Sequence, residues 1–144
     1  MIQINPHYKS SRTIKDLVEE GSLHPQCAEI FQYKHNNIES RTLMLYKHQI
    51  DAIAKAQENK SFIVTTGTGS GKSLSFFVPI IDRILKDRES ELKRRTSAII
   101  IYPMNALANS QVEELNKYLK DNERLNGKEL ITFKRYTGQD DERE

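Results

Sequence analysis

Apolar side chains recur at helical intervals in several parts of the chain. Thr13 and Asp16 have the spacing of a capping box, apolar positions follow them, and Gly21 is suited to end the helix. Pro25 can begin a second short helix, because the first helical position needs no amide hydrogen. Residues 46–57 carry one apolar face at spacings of three and four, which predicts a third helix.

Short apolar runs rich in β-branched or aromatic residues predict strands at residues 62–64, 98–102 and 130–136. The first two are apolar throughout, as expected for strands buried on both faces of a parallel sheet. Apolar helical patterns follow them at residues 74–85 and 108–119, and Pro79 is expected to bend the first of these helices or limit its first part. The alternation indicates an α/β fold with a mostly parallel sheet and right-handed crossovers.

A polar stretch at residues 34–41 predicts a loop between two parts of the chain. We therefore expect a short helical N-terminal extension at residues 1–40 and an α/β domain at residues 41–144. Three strands make an incomplete sheet with an open edge, so we expect the natural protein to continue beyond this sequence.

Length and composition narrow the class of protein. A chain of 144 residues with 37% apolar and 29% charged residues is typical of one globular domain, and no apolar stretch approaches the ~20 residues of a membrane span. The N-terminus lacks the apolar core of a secretory signal, so we expect a cytoplasmic protein with no membrane role. Cys27 is the only cysteine, which excludes an internal disulfide and a thiolate zinc site and predicts a buried thiol. A net charge of +2 is too small to indicate nucleic-acid binding.

Seven of the nine residues 87–95 are charged, and both signs are mixed. Such a stretch is typical of a solvated linker or helix end. A contact role for its basic end, Lys93, Arg94 and Arg95, is the alternative.

The most informative segment joins the first predicted strand to the next helix. This segment contains three glycines and ends in a lysine and a serine, with the sequence Thr66-Gly67-Thr68-Gly69-Ser70-Gly71-Lys72-Ser73. Glycines let main-chain amides converge on a phosphate at a helix N-terminus, Lys72 adds positive charge, and Ser73 offers a hydroxyl to Mg²⁺. A glycine-rich surface loop is the alternative, but such a loop has no reason to lie between a buried strand and a buried helix. We predict that residues 66–73, hereafter the phosphate loop, bind a nucleotide.

Thr66 stands where the strict phosphate-loop pattern has its first glycine. This form resembles motif I of superfamily 2 DEAD/DEAH-type helicases, in which a small residue occupies that position. The resemblance implies a RecA-like P-loop domain that binds ATP and Mg²⁺ through the whole phosphate loop. It also implies catalytic roles for Lys72 and Ser73, with Ser73 as a metal ligand.

Upstream of the phosphate loop, Tyr46 and Gln49 lie on one face of the third predicted helix. An amide side chain can donate to and accept from the edge of adenine while an aromatic ring stacks on the base. The pair resembles the Q motif of the same helicases, in which the glutamine selects adenine. Packing of Tyr46 in the core with a solvated Gln49 is the alternative. We interpret His48 as an orienting or structural residue.

After the second predicted strand, Pro103, Leu107 and Gln111 match the spacing of helicase motif Ia, although methionine replaces its threonine. Amides at a helix start, together with asparagine and serine side chains, can bond to phosphate and sugar without reading sequence. An ordinary helix cap is the alternative. The predicted nucleic-acid contacts are Pro103, Asn105, Asn109, Ser110 and, after the third strand, Gly138.

The resemblance covers about residues 43–144 and rests on three motifs in family order. The residues around the Q motif and motif Ia are similar to those of large bacterial helicases of genome-defence and repair systems. We expect DNA rather than RNA as the nucleic acid, and the remainder of the helicase motor as a partner.

Hydrolysis of ATP needs an acidic side chain for Mg²⁺ and a basic finger for the transition state. The family places its Asp-Glu box later than this sequence extends, and Asp140 and Asp141 are interpreted as a solvated acidic tail. We therefore expect the chain to bind ATP and Mg²⁺, as part of an ATP-dependent helicase or translocase, without completing turnover alone. The alternatives are a P-loop switch or kinase that does not act on nucleic acid, and a non-catalytic interaction fragment of a larger assembly.

Overall fold

The protein is described from a computed structural model, which covers residues 10–35, 38–67, 69–90, 95–119 and 131–137. The chain forms two compact units, Met1–Lys93 and Arg94–Glu144. The elements of the first unit are, in chain order, β1 (Ser10–Thr13), α1 (Ile14–Glu19), α2 (Cys27–Ile30), β2 (Gln32–His35), β3 (Ile38–Thr42), β4 (Met44–Tyr46), α3 (Lys47–Gln57) and α4 (Leu74–Ser90). The element described in the second unit is α5 (Asn105–Leu119).

Helix α1 begins at the predicted capping box. Thr13 Oγ1 accepts a hydrogen bond from the Asp16 amide at 3.1 Å, and the Thr13 amide donates to Asp16 Oδ2 at 2.7 Å. Both amides belong to the helix start, where they have no partner within the helix. The hydrogen bond from the Thr13 backbone also holds the pKa of Asp16 below its ordinary value. Gly21 follows the helix with φ 74°, a conformation that favours glycine, so the predicted cap and stop are confirmed.

Helix α2 confirms the second predicted helix but begins at Cys27, two residues after Pro25. Cys27 is 0% exposed, which confirms the prediction of a buried thiol. Burial raises the pKa of this thiol to about 12, and the negative charge of Asp82 adds to the shift.

The prediction of a loop at residues 34–41 is wrong. Strand β2 pairs antiparallel with β3, with Gln32 opposite Thr42 and Tyr33 opposite Arg41. A hairpin is held by main-chain hydrogen bonds between its strands, and polar side chains permit these bonds as well as apolar ones do. The polarity of the segment therefore did not identify its conformation.

The N-terminal segment packs with the elements that follow it. Strand β1 pairs antiparallel with β4, with Arg12 opposite Leu45. The Ile14 amide then donates to the Leu43 carbonyl at 3.0 Å. Residues 10–31 and the helices α3 and α4 lie in the same compact unit, and the division of the chain at residue 40 stays a prediction.

Helices α3 and α4 confirm the helices predicted on either side of the phosphate loop. They pack against each other and bury apolar side chains of both, namely Ala52, Ile53, Phe77, Val78, Ile81 and Leu85. Pro79 lies inside α4 without ending it, and the helix continues to Ser90. The charged stretch at residues 87–95 begins as a helix end, as predicted, because residues 87–90 form the last turn of α4. Lys93 and Arg94 lie outside the described residues.

The burial predicted for the first two strands is wrong in this structure. Ile63 is 90% exposed, Ile99 is 79% exposed and Ile101 is 86% exposed. Within the described residues, no strand is assigned at 61–67, 95–102 or 131–137. A parallel strand is buried only when neighbouring strands and covering helices surround it, which an apolar run cannot supply by itself. The parallel sheet stays a prediction, since the two sheets described are two-stranded and antiparallel.

Helix α5 confirms the helix predicted after the second apolar run. Its predicted core face is half-buried at Val112 and Leu115 and buried at Leu119. Across the described ranges, no helix has the length and apolar character needed to cross a membrane.

Candidate nucleotide-binding site

The phosphate loop runs directly into α4. Gly69 has φ 75° and Gly71 has φ 67°, so both adopt the left-handed conformation that glycine enters without a steric penalty. The Leu74 amide donates to the Gly71 carbonyl at 3.2 Å and the Ser75 amide to the Lys72 carbonyl at 2.9 Å. The loop thus ends in the first turn of a helix, which is the geometry that binds anions through main-chain amides. Thr68 lies outside the described residues.

Gln49 links α3 to the phosphate loop. Its side chain is buried, with 1% of the residue exposed. Oε1 accepts a hydrogen bond from the Tyr46 amide at 2.8 Å, and Nε2 donates to the Gly71 carbonyl at 2.7 Å. The two partners fix the orientation of the amide, because one is a donor and the other is an acceptor. The structure therefore brings the predicted adenine reader to the loop itself, while its role toward adenine stays a prediction.

Gly71 has a second reason to be glycine. A Cβ at this position would lie 2.8 Å from Gln49 Nε2, closer than side-chain carbons approach other atoms. The absence of a side chain at Gly71 therefore allows the close contact with Gln49 as well as the positive φ.

Tyr46 is half-buried and precedes α3. Its ring stacks on that of His48, with centroids 5.9 Å apart and planes inclined by 17°. The sequence analysis assigned His48 an orienting or structural role, and the contact with Tyr46 fits that interpretation. Stacking of Tyr46 on adenine stays a prediction.

The Lys72 ammonium group lies against the carbonyls of its own loop. Nζ donates to the Thr66 carbonyl at 3.0 Å and to the Gly67 carbonyl at 2.7 Å, and it lies 3.4 Å from Ser70 Oγ. A lysine ammonium has three donors and no acceptor, so an anion can replace these carbonyls as its partner. The positive charge is thus already placed at the loop that would hold phosphate.

Two hydroxyls of the loop bind each other. Thr66 Oγ1 and Ser70 Oγ are 2.5 Å apart, and Ser70 is 1% exposed. This contact joins the beginning of the loop to its middle. Thr66 can make it because it has a hydroxyl, which the glycine of the strict pattern does not.

Ser73 begins the turn that leads into α4 and is half-buried. Its hydroxyl is an oxygen donor of the kind that Mg²⁺ accepts, and Mg²⁺ usually keeps several waters and binds phosphate oxygens besides one or two protein ligands. The residue therefore fits the predicted metal role. The described part of the chain contains no group of three or more His, Cys, Asp or Glu side chains that could hold a metal ion.

The residues predicted to contact nucleic acid lie in the second unit. Pro103, Asn105, Asn109 and Ser110 are exposed at or near the start of α5. Tyr102 donates to Gln111 Oε1 at 3.4 Å, and partial burial raises the pKa of this tyrosine. Arg135 Nη1 donates a hydrogen bond to Asn109 Oδ1. The sequence did not predict this contact, because residues far apart in the chain leave no local pattern. Gly138 lies outside the described residues.

The phosphate loop and the helix start at α5 agree with a comparison against known families. The family model of the DEAD/DEAH box helicases matches residues 46–144. The chain belongs to this family. Membership implies a RecA-like α/β fold, and proteins of this family generally use ATP with Mg²⁺. It confirms the helicase resemblance found at the phosphate loop.

Proteins similar to this chain include ATP-dependent helicases and Druantia protein DruE. The chain is 36% identical over 84 residues to Druantia protein DruE of Escherichia coli (strain UMEA 4076-1), and the matched region is 54% of the chain and 5% of DruE. It is 37% identical over 83 residues to ATP-dependent helicase hrq1 of Schizosaccharomyces pombe, covering 58% of the chain and 7% of hrq1. It is 37% identical over 62 residues to ATP-dependent rRNA helicase SPB4 of Chaetomium globosum, covering 43% of the chain and 10% of SPB4. The match thus spans a small part of each relative. No solved structure shows a significant match.

Proposed function

We propose that this chain is the ATP-binding portion of an ATP-dependent helicase or translocase that acts on nucleic acid. The observation that carries the proposal is the phosphate loop, in which two left-handed glycines and the Lys72 ammonium precede the N-terminus of α4. Backbone amides and a positive charge at a helix start together favour a polyphosphate.

ATP with Mg²⁺ is the proposed cofactor. The amides of residues 67–73 cradle the phosphates, Lys72 neutralises the terminal phosphates, and Ser73 supplies an oxygen to the metal. Tyr46 and Gln49 recognise the adenine at the start of α3, where Gln49 already contacts the loop. The metal, when bound, draws charge from the phosphate oxygens. Hydrolysis of ATP by the whole protein is part of the same proposal; the match spans 5% of DruE and 7% of hrq1.

The start of α5 is the proposed nucleic-acid contact, through Pro103, Asn105, Asn109 and Ser110. Exposed amide and hydroxyl side chains suit the sugar-phosphate backbone and carry no base specificity. DNA is the proposed substrate, on the likeness to bacterial genome-defence and repair helicases. SPB4 is named for ribosomal RNA, so single-stranded RNA is the comparison in any binding assay. A cytoplasmic location is part of the same proposal.

The proposal is tested by nucleotide binding to Lys72→Ala. Loss of a charge-assisted hydrogen bond costs about 1.5–3 kcal/mol, so we expect ATP affinity in the presence of Mg²⁺ to fall about tenfold to a hundredfold. Isothermal titration calorimetry on protein shown to be folded by circular dichroism measures the change.

Lys60→Ala is the matched control, because it removes the same charge from an exposed position before the loop, where Lys60 pairs with Glu58 at 2.7 Å. Its ATP affinity should stay within about twofold of the unaltered protein, as expected for a surface charge. Equal affinities of the Lys72 and Lys60 variants for ATP would overturn the proposed function.

A further inference from the structure

The N-terminal segment connects two elements of the proposed nucleotide site. Residues 10–24, hereafter the brace, precede the region matched by the helicase family model, which begins at residue 46. The brace consists of β1, α1 and the turn that follows α1. One end of it pairs with the strand that leads into α3, and the other end contacts α4. The brace therefore links the two helices that carry the proposed nucleotide contacts.

The first end of the brace lies at the start of α3. Strand β1 pairs antiparallel with β4, and Ser10 lies opposite Tyr46, the residue that precedes α3. The Ile14 amide donates to the Leu43 carbonyl at 3.0 Å, just before β4 begins. Main-chain hydrogen bonds of this kind fix how one strand is aligned with the other. The position of Tyr46 is therefore tied to the brace.

The second end of the brace is attached to α4 by hydrogen bonds. The His24 amide donates to Asp82 Oδ1 at 2.6 Å, and both residues are buried. Lys86 Nζ donates to the Ser22 carbonyl at 2.9 Å and to Asp82 Oδ2 at 2.8 Å, so this lysine takes part in both links. Hydrogen bonds depend steeply on direction and distance, so these contacts fix where the brace meets the helix.

The brace is held together between its two ends. Ile14 and Leu17 of α1 are buried. The amides of Ser22 and Leu23 both donate to the Leu17 carbonyl, at 2.9 Å and 3.1 Å. A segment that is packed and hydrogen-bonded in this way passes on a displacement of one end to the other.

A nucleotide that contacts both helices requires a fixed distance between them. Tyr46 and Gln49, the proposed adenine contacts, lie at the start of α3, and the phosphate loop lies at the start of α4. The hydrogen bond from Gln49 to Gly71 is one link between these parts, and the brace is a second. The apolar packing of the two helices has no preferred direction and does not by itself fix how far one is displaced along the other. Holding both parts in place before binding reduces the entropy that the complex loses.

We propose that the brace positions α3 against α4 for nucleotide binding, and that Lys86 is the positioning residue that holds the brace to α4. The inference rests on the proposed function, because it concerns the same nucleotide site. Lys86 lies roughly 18 Å along the helix from Leu74, its first residue. It therefore acts through the brace and not by contact with the phosphates.

The test compares the binding of two ligands to the full-length protein and to Lys86→Ala. ATP with Mg²⁺ contacts both helices under the proposal, whereas tripolyphosphate with Mg²⁺ has no base and contacts only the phosphate loop. Isothermal titration calorimetry measures the ATP affinity, and competition with ATP measures that of tripolyphosphate. Circular dichroism melting gives the temperature range in which each variant is folded. If Lys86→Ala does not fold, Lys86→Met takes its place, because it keeps an apolar stem and removes the donors.

For Lys86→Ala we expect the ATP affinity to fall about threefold to tenfold, as for the loss of one or two hydrogen bonds. The affinity for tripolyphosphate should stay within about twofold, since that ligand does not depend on the position of α3. Lys86→Arg should recover most of the ATP affinity, because arginine also donates from a positive charge on a long side chain.

Two controls leave both ends of the brace attached. Arg83→Ala removes the same charge from α4, where Arg83 Nε lies 2.9 Å from Asp87 Oδ1 of the same helix. Gln57→Ala removes a donor to the Ser22 carbonyl from the end of α3 that is remote from Tyr46. Both should keep both affinities within about twofold of those of the unaltered protein.

Equal losses of ATP and tripolyphosphate affinity in Lys86→Ala would show a general weakening of the phosphate loop and overturn the positioning role. An ATP affinity of Lys86→Ala equal to that of Arg83→Ala would overturn it as well. In both cases the proposed function would stand, since the unaltered protein would still bind ATP. An unaltered protein that binds neither ATP nor tripolyphosphate would overturn the proposed function together with the inference.

Discussion

Gln49 shows how one buried side chain can combine two tasks. Its amide binds the start of α3 through the Tyr46 amide and the phosphate loop through the Gly71 carbonyl. A change at Gln49 therefore disturbs the loop whichever base the nucleotide carries. Selection of adenine, which the Q-motif resemblance implies, is a separate effect that a comparison of bases can isolate.

Gln49→Ala should weaken the binding of both ATP and GTP. Loss of the 2.7 Å hydrogen bond from Gln49 leaves the Gly71 carbonyl with one partner fewer, which costs about 0.5–1.5 kcal/mol, or about twofold to tenfold in affinity if the loop must be re-formed on binding. Titration of each nucleotide by calorimetry measures the two losses. A larger loss of affinity for ATP than for GTP would show that Gln49 also selects adenine.

Gln57→Ala is the matched control for Gln49→Ala, because it removes the same amide from the other end of α3, where Gln57 Nε2 donates to the Ser22 carbonyl. It should leave both nucleotide affinities within about twofold. A Gln49 variant that loses ATP binding and keeps GTP binding unchanged would show that the contact with Gly71 has no part in holding the loop.

At the scale of elements, α4 is anchored to the N-terminal segment by Asp82. This carboxylate is 4% exposed and accepts hydrogen bonds from the His24 amide at 2.6 Å and from Lys86 Nζ at 2.8 Å. Lys86 Nζ also donates to the Ser22 carbonyl at 2.9 Å, and His24 Nε2 lies 2.9 Å from Glu89 Oε1. The segment at residues 22–24 is thereby attached along the helix that begins at the phosphate loop.

Asp82→Ala should lower the free energy of unfolding by about 2–4 kcal/mol. The variant leaves the buried His24 amide without its acceptor and removes the carboxylate partner of Lys86, and both effects destabilise the fold. Urea denaturation followed by circular dichroism measures the loss.

The control for Asp82→Ala is Asp51→Ala, which breaks the exposed pair of Asp51 with Lys47 at 3.4 Å on α3. Exposed pairs of this kind contribute about 0–1 kcal/mol. If the two variants lose similar stability, the attachment of residues 22–24 to α4 does not depend on Asp82.

At the scale of the whole molecule, the burial of Cys27 makes the stability of the first unit depend on pH. The ordinary pKa of a cysteine is 9.0, and burial raises that of Cys27 to about 12. Between these values the unfolded chain releases the proton while the folded chain keeps it. The free energy of unfolding therefore falls as pH rises from 9.0 toward about 12, and is unaffected by this group below 9.0.

We expect the contribution of Cys27 to reach about 1.4 kcal/mol per pH unit in that window, the value for one proton. Urea unfolding of the protein and of Cys27→Ala, measured at several pH values above and below 9.0, gives the difference in slope. Lysines and tyrosines titrate in the same window, but they are common to both proteins and cancel. Parallel stability curves for the two proteins would show that Cys27 keeps an ordinary pKa in the fold.

The sequence predicted helices better than strands, and the reason is physical. The cap at Thr13 and Asp16, the apolar face of α3 and that of α4 are local patterns, because a helix forms its hydrogen bonds within one segment. A strand needs a partner elsewhere in the chain. Residues 34–41 were predicted as a loop because the pairing of β2 with β3 is made by main-chain groups, which the polar composition of the segment does not reveal.

The amino-acid sequence by itself determined the phosphate loop, the order of the motifs and the membership of the DEAD/DEAH box family, because these depend on residue types at fixed spacing. Only the tertiary structure decided that Gln49 contacts Gly71, that Asp82 holds the N-terminal segment to α4, and that Arg135 pairs with Asn109. Each of these joins residues that are distant in the chain, and the free energy of such contacts depends on burial and geometry that spacing does not encode.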